Sequence, residues 1–400
     1  MNNRLRRLLL TKRIGGHLNQ PNVSVIMPSL NVAPYIRECM ESVVNQTLND
    51  IEIICVDAGS TDGTLEVLEE YAARDQRITL IHSDMKSYGY QMNLGIAAAK
   101  GEYIGIVETD DFVAPDMFEI LYDSAKRKNA EVVKSNYYEY NTLSNSSKKC
   151  NNNLGLKYGK VISPANNARI LRTVPSIWSG IYKKSFLSTN NIQFLETPDA
   201  SFQDTGFILK VFLSAHRVLL LKDAFVYYRT DNENSSVNSG EKAYCICEEI
   251  DSVQKFISER PEKKAVFQEY LWAKYFDTYM WNYYRISDHL RLDFACTTKA
   301  FFEKSLQNGE ISRKIFSESD WAKLSEIISS PESFYSNNRM PTSLPAFEKT
   351  DKEHDIVSKA PRNNALDKLR GAIQCFRDNG AAYTFRRALY HVGLWKDEEA

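Results

Sequence analysis

Three carboxylates, Glu108, Asp110 and Asp111, stand at the end of the apolar run Tyr103-Ile-Gly-Ile-Val107. Like charges at contact distance repel and resist leaving water, so a buried strand that ends in such a cluster normally has a cation among them. In an α/β sheet the carboxyl ends of the strands are also where ligands bind. Mg²⁺ and Mn²⁺ are hard ions that take oxygen ligands and usually share them with substrate phosphates. The chemistry expected here is therefore metal-assisted handling of a nucleotide-linked substrate.

The elements that must position this cluster can be read on either side of it. Residues 23–140 alternate strand-like and helix-like segments, the pattern of a mostly parallel, Rossmann-like sheet flanked by helices. Strands are expected at Val23–Met27, Ile51–Val56, Ile78–Ile81, Tyr103–Val107 and Glu131–Ser135, with helices between them. Pro34 suits the first turn of the first helix, and Ile36, Met40, Val43 and Val44 supply its apolar stripe. The turn Asp57-Ala-Gly-Ser-Thr-Asp-Gly63 follows the second strand. Residues 141–153 read as an exposed loop or hairpin tip, and Ser163-Pro164 opens a short helix ending near Arg172. Val218–Leu221 and Ala224–Tyr228 are two further strands. From about residue 240 the strand alternation stops, and the aromatic-rich stretch 244–335 is expected to be packed helices.

The bulk properties bound the function. The chain has 400 residues, 50 Lys and Arg against 51 Asp and Glu, and a formal net charge of −1. A general nucleic-acid binder would be more basic. The seven cysteines are scattered, and Cys245-Ile-Cys247 lacks the partners of a zinc site, so all are expected to be reduced thiols of a cytoplasmic protein. No apolar run reaches membrane-spanning length. Arg4–Arg13 is basic with a short Leu patch, too short for a signal peptide. It reads either as a solvated leader or as a peripheral contact with anionic lipid on the inner membrane face.

Four motifs in order carry a resemblance: Val23-Ser-Val-Ile-Met-Pro-Ser-Leu-Asn31, Val56-Asp-Ala-Gly-Ser-Thr-Asp-Gly-Thr64, Met92-Asn93 before Gly95, and Glu108-Thr-Asp-Asp111. Together they resemble the nucleotide-sugar-binding half of family-2 glycosyltransferases over roughly residues 22–235. The resemblance implies the A-type glycosyltransferase fold, inversion at the anomeric centre and a Mg²⁺ or Mn²⁺ cofactor. By position it puts Pro28 and Asn31 beside the nucleotide, although Pro34 explains a capped junction there equally well. It assigns Asp57 to the uracil ring of a UDP-sugar, with Ala58 standing where the family often has a second aspartate. Asn93 falls at the family's Arg-Asn helix start, with Met92 in place of the arginine. Lys86 is then a cation for the donor diphosphate, or a solvated loop lysine. Asp110 would approach the ribose and the metal, and Asp111 would ligate the metal.

Further along, Ser201-Phe-Gln-Asp-Thr-Gly-Phe207 resembles the family's general-base segment, which makes Asp204 the catalytic base. Gln203 replaces a usual glutamate, and a helix cap would account for Asp204 as well. Trp178 would offer an acceptor sugar an apolar face, or simply pack. Arg229, after Tyr227-Tyr228, is expected to clamp the diphosphate. The implied organisation is a leader (1–21), a catalytic domain (22–238), a helical region (239–336), a linker (337–365) and basic amphipathic helices (366–400). The acceptor is expected to be a glycan or lipid-linked intermediate of surface-polysaccharide synthesis. Two other readings stay open: a nucleotidyltransferase, which would usually carry a Gly-rich basic loop after the first strand, and a non-catalytic carbohydrate-binding descendant. An aspartyl phosphatase is disfavoured, because Glu108 holds the position of its nucleophile.

Overall fold

The computed structural model describes residues 20–338, apart from residue 234 and residues 236–239. The expected C-terminal helices and nearly all of the expected leader and linker lie outside the described residues.

The first strands form because they are short β-branched runs that helices cover on both faces. β1 (Val23–Ser29) and β2 (Ile51–Asp57) are buried at every position, as parallel strands buried on both faces must be. β3 (Ile78–His82) is buried only at Ile78 and otherwise partly or wholly exposed, as suits an edge strand. β4 (Tyr103–Ile106) lies on the other side of β1. The connecting helices α1 (Ala33–Val44), α2 (Thr64–Arg74) and α3 (Tyr88–Ala98) close the parallel order β3-β2-β1-β4. Pro34 sits in the first turn of α1, and Ile36, Met40 and Val43 are fully buried, as the spacing predicts.

Beyond β4 the sheet becomes mixed. β5 (Phe112–Val113), α4 (Met117–Lys128), β6 (Val132–Asn141), β7 (Ser146–Cys150), β8 (Val161–Ile162), β9 (Gly180–Lys183), α5 (Lys184–Thr189), α6 (Gln203–Ser214) and β10 (Val218–Arg229) complete it. β9 lies antiparallel between β4 and β6, and β10 runs parallel to β6. The full order is β3-β2-β1-β4-β9-β6-β10-β5, with β7 on β6 and β8 on β10. Gly180 is required where β9 enters: an added Cβ would stand 2.1 Å from the Val133 carbonyl oxygen. The two strands expected at 218–221 and 224–228 are one strand with a register shift between Leu220 and Ala224. The expected loop at 141–153 is the β6–β7 hairpin. The short helix expected after Ser163 is two 3₁₀ turns, Pro164–Asn166 and Ala168–Arg172.

The second half is helical, as expected. It comprises α7 (Cys245–Ser258), α8 (Pro261–Arg285), α9 (Asp288–Gln307), α10 (Glu318–Ser329) and α11 (Pro331–Asn337). Phe267, Leu271, Tyr275, Tyr279 and Tyr283 recur every fourth residue along α8, and all are buried. Tyr279 stacks on Phe301 of α9 with centroids 5.1 Å apart. α8 is tied to the first half by a bidentate pair, in which Arg172 Nε and Nη2 donate to Asp277 Oδ2 and Oδ1 at 2.7 Å each. None of the described helices is long and apolar enough to cross a membrane.

Candidate active site

The carboxyl ends of β1 and β4, the start of α6 and one face of α8 surround a cavity of about 1180 Å³. After β1 the chain turns through Asn31 in the left-handed region (φ 54°), which asparagine tolerates better than most residues. The turn is knitted to the one after β2. Asn31 Oδ1 accepts from the Thr61 N–H at 2.9 Å, and the Asn31 N–H donates to Ser60 Oγ at 3.0 Å.

Asp57 closes β2 and is 1 % exposed. Its Oδ2 accepts from the Gly59 and Ser60 N–H groups at 2.9 Å each, and its Oδ1 accepts from Ser60 Oγ at 2.5 Å and Ser29 Oγ at 3.3 Å. It does not line the cavity, and both oxygens serve the turn.

The acidic cluster is arranged by β4 and β10. Glu108 lines the cavity and accepts from the Tyr88 hydroxyl at 2.6 Å. Burial, with added repulsion from Asp110 and Asp204, pushes its carboxyl up to about 8. Asp110 faces the cavity, and its Oδ2 accepts from Asn232 Nδ2 at 2.8 Å. Asp111 lies just behind. Its Oδ1 accepts from the Arg229 N–H at 2.7 Å, while its Oδ2 is buried with no partner. Burial first, then Asp110, drives the Asp111 carboxyl well above its ordinary range.

Arg229 does not reach the cavity. Its side chain is 1 % exposed. Nε donates to the Asp110 carbonyl at 2.8 Å, Nη1 donates to Thr142 Oγ1, and Nη2 donates to Glu38 Oε2 at 2.7 Å. Its guanidinium carbon is 4.8 Å from the centre of the Tyr35 ring and 5.3 Å from that of Tyr140. The expected diphosphate clamp is thus a brace for the Asp110–Asp111 turn, held from both backbone and side chain. Asn93 also points elsewhere. It donates to the Phe194 carbonyl and to Glu196 and accepts from the Phe194 N–H, fixing the segment that leads to Asp204. Lys86 is exposed, lines the cavity and makes no ion pair among the described residues.

α6 begins after Phe202, whose φ of 63° is left-handed. Asp204 lies in the first turn of α6 and faces the cavity. Its Oδ1 accepts from the Thr205 N–H at 2.6 Å. Burial pushes its carboxyl up to about 6, against the lowering pull of the Thr205 hydrogen bond and of Lys274. Gln203 is tied back to the Ser201 N–H and to Thr197 and Asp199, shaping the loop ahead of the base. Trp178 lines the cavity but is 8 % exposed.

α8 supplies a wall that the sequence reading did not anticipate. Lys274, Asp277, Thr278, Trp281 and Arg285 all line the cavity. Their spacing puts them on one helical face. That polar stripe, running through an aromatic-rich helix, was the signal available in the sequence.

Of the ten expected site residues, Pro28, Asn31, Lys86, Asp110, Trp178 and Asp204 share the cavity, while Asp57, Asn93, Asp111 and Arg229 do not line it. Among the described residues no three or more His, Cys, Asp or Glu side chains converge to hold a metal ion. An ion at Asp110 and Asp111 fits this arrangement if phosphate oxygens complete it, as is usual for Mg²⁺. The partnerless Asp111 oxygen is the atom such an ion would satisfy.

Residues 24–204 match the family model described as glycosyl transferase family 2. The glycosyltransferase EpsJ of Bacillus subtilis (strain 168) is 35% identical over 218 residues, 54% of this chain and 62% of that protein. The poly(ribitol-phosphate) beta-glucosyltransferase of Bacillus spizizenii is 28% identical over 224 residues, 54% of this chain and 33% of that protein. The chain thus spans less than two thirds of the length of these relatives. Among solved structures, S. aureus TarS 1–349 in complex with UDP-GlcNAc aligns with a TM-score of 0.59 at 19% identity, over 78% of this chain and 89% of that one. That likeness shows a shared A-type glycosyltransferase fold. Residues 24–204, just under half of the chain, are thus a region that matches glycosyl transferase family 2.

Proposed function

We propose that the protein is an inverting, metal-dependent glycosyltransferase that moves a sugar from a nucleotide diphosphate donor to a hydroxyl of a glycan or lipid-linked acceptor. The observation that carries this reading is the shared cavity, which both Asp110 and Asp204 line. A sugar hydroxyl is a weak nucleophile. An inverting transfer has to remove its proton on the face opposite the departing diphosphate. With its carboxyl pushed up to about 6, Asp204 is ionised at neutral pH and still basic enough to accept that proton. Asp110 and Asp111 would hold Mg²⁺ or Mn²⁺, which when bound would neutralise charge on the leaving diphosphate. Lys86 takes over from Arg229 as the cation for the donor phosphates, while Arg229 keeps the acidic turn in place.

UDP is the favoured nucleotide because the TarS structures of like fold hold UDP and UDP-GlcNAc. Asp57 lends this choice little support, since a uracil N–H would have to displace the Ser29 or Ser60 hydroxyl from it. A polymeric acceptor in cell-surface polysaccharide synthesis is supported by relatives named poly(ribitol-phosphate) beta-glucosyltransferase and chondroitin synthase. Work at the cytoplasmic membrane face is supported by the basic residues between Arg4 and Arg13.

The reading is tested by incubating the protein and Mn²⁺ with a panel of nucleotide sugars and, separately, with nucleoside triphosphates and sugar 1-phosphates, and following the products. A transferase releases nucleoside diphosphate from its donor, slowly even without acceptor. A nucleotidyltransferase releases pyrophosphate from a nucleoside triphosphate. Release of neither contradicts both and leaves the carbohydrate-binding alternative.

A further inference from the structure

The sugar platform expected at Trp178 is already covered. One indole face stacks on Tyr228 with centroids 5.3 Å apart and planes 6° apart, and Tyr137 meets the ring edge-on at 4.9 Å. Trp281 is the contrasting case. It is 48 % exposed on α8, while Trp272, Tyr275, Phe276, Tyr279 and Tyr283 of the same helix are buried. It lies on the cavity wall. Phe202 meets its ring edge-on at 5.5 Å and 87°, and the Arg285 guanidinium carbon is 5.3 Å from its ring centre. Phe202 is two residues from Asp204, so Trp281 is one ring away from the backbone that carries the base.

The surroundings of Trp281 select the chemistry of what it meets. Lys274, Asp277, Thr278 and Arg285 share its helical face and line the same cavity. Asp277, whose side chain stays 32 % exposed while paired with Arg172, would lose water to a wholly apolar ligand that replaces none of its hydrogen bonds. A bare phosphate would not use the indole. A pyranose ring has an apolar C–H face and a rim of hydroxyls, and so uses both. The donor's phosphates belong with Asp110.

We infer that the Trp281 face of α8 is the acceptor subsite, with the acceptor a pyranose lying against the indole and hydrogen-bonded by its polar neighbours. This rests on the glycosyltransferase reading of the cavity.

The test uses the full chain with UDP and Mn²⁺, and three probes: the methyl β-glycosides of glucose, galactose and N-acetylglucosamine. Glycoside binding is measured by saturation-transfer NMR, and UDP binding by calorimetry. At least one glycoside binds the unaltered protein, and Trp281→Ala weakens it about tenfold. Trp281→Phe, which keeps a ring, recovers binding to within about threefold of the unaltered protein. UDP affinity stays unchanged in both variants, which also shows that they are folded. Binding of none of the three glycosides overturns the inference, and so does binding that Trp281→Ala leaves intact. A protein that releases no nucleoside diphosphate from any nucleotide sugar removes the glycosyltransferase reading itself, and the subsite with it.

Discussion

Replacing Asp204 by asparagine separates the proposed base from everything else the residue does. Among the described residues, the carboxylate's side-chain hydrogen bonds are to its neighbour Thr205, whose N–H donates to Oδ1 at 2.6 Å. Asparagine keeps an acceptor oxygen there, so the start of α6 is preserved. The negative charge lost from the first helical turn costs only about 0.3–1 kcal/mol of stability. The catalytic loss is far larger: removing a general base lowers turnover about 10²–10⁴-fold. That is about 3–5 kcal/mol at the barrier. The pH profile makes an independent check. With the carboxyl at about 6, the ionised, proton-accepting form is roughly nine tenths populated at pH 7 and about one tenth at pH 5. The rate of the unaltered protein should therefore rise as pH increases through 6 and level off above 7. Turnover is followed as sugar-dependent release of nucleoside diphosphate, with donor KM measured alongside. Asp204→Asn should lose kcat and keep donor KM. Turnover within tenfold of the unaltered protein, or a flat profile between pH 5 and pH 7, refutes the assignment.

Other outcomes follow from the same geometry. Asp111→Asn should abolish Mn²⁺-dependent binding of UDP in calorimetry, and unchanged binding would show that the partnerless oxygen holds no ion. Arg229→Met removes the side-chain donors to Asp110, Thr142 and Glu38 and should destabilise the fold by about 2–4 kcal/mol. A urea midpoint equal to that of the unaltered protein would deny Arg229 its bracing role. Deleting residues 1–13 should lower sedimentation with anionic liposomes if that basic stretch touches lipid, and unchanged pelleting rules the contact out.

The parallel half of the sheet was legible because its strands are continuous apolar runs, buried on both faces, with helical stripes between them. The mixed half was harder to read. β9 is only four residues, Gly180-Ile-Tyr-Lys183, and it is a strand because β4 and β6 flank it rather than because of its own pattern. The site divides in the same way. Asp110 and Asp204 were legible because ordered motifs place them at element ends that face a cavity. Arg229 was misread because its surroundings come from afar: Glu38, Asp110 and Thr142 are separated from it by between 87 and 191 positions. Nothing in Tyr227-Tyr-Arg229 encodes them. Asn93 and Asp57 were placed near the donor by motif, yet local and segment-bridging hydrogen bonds occupy their polar atoms. The α8 wall escaped notice because its polar residues are outnumbered by the buried rings on the same helix.

The most direct measurement is a crystal of the full chain grown with UDP and Mn²⁺, with diffraction data collected for the anomalous signal of manganese. The account predicts a peak between the Asp110 and Asp111 carboxylates and the diphosphate oxygens, with the cavity beside Asp204 left open for an acceptor. Bound UDP with no manganese peak at those two carboxylates would contradict it.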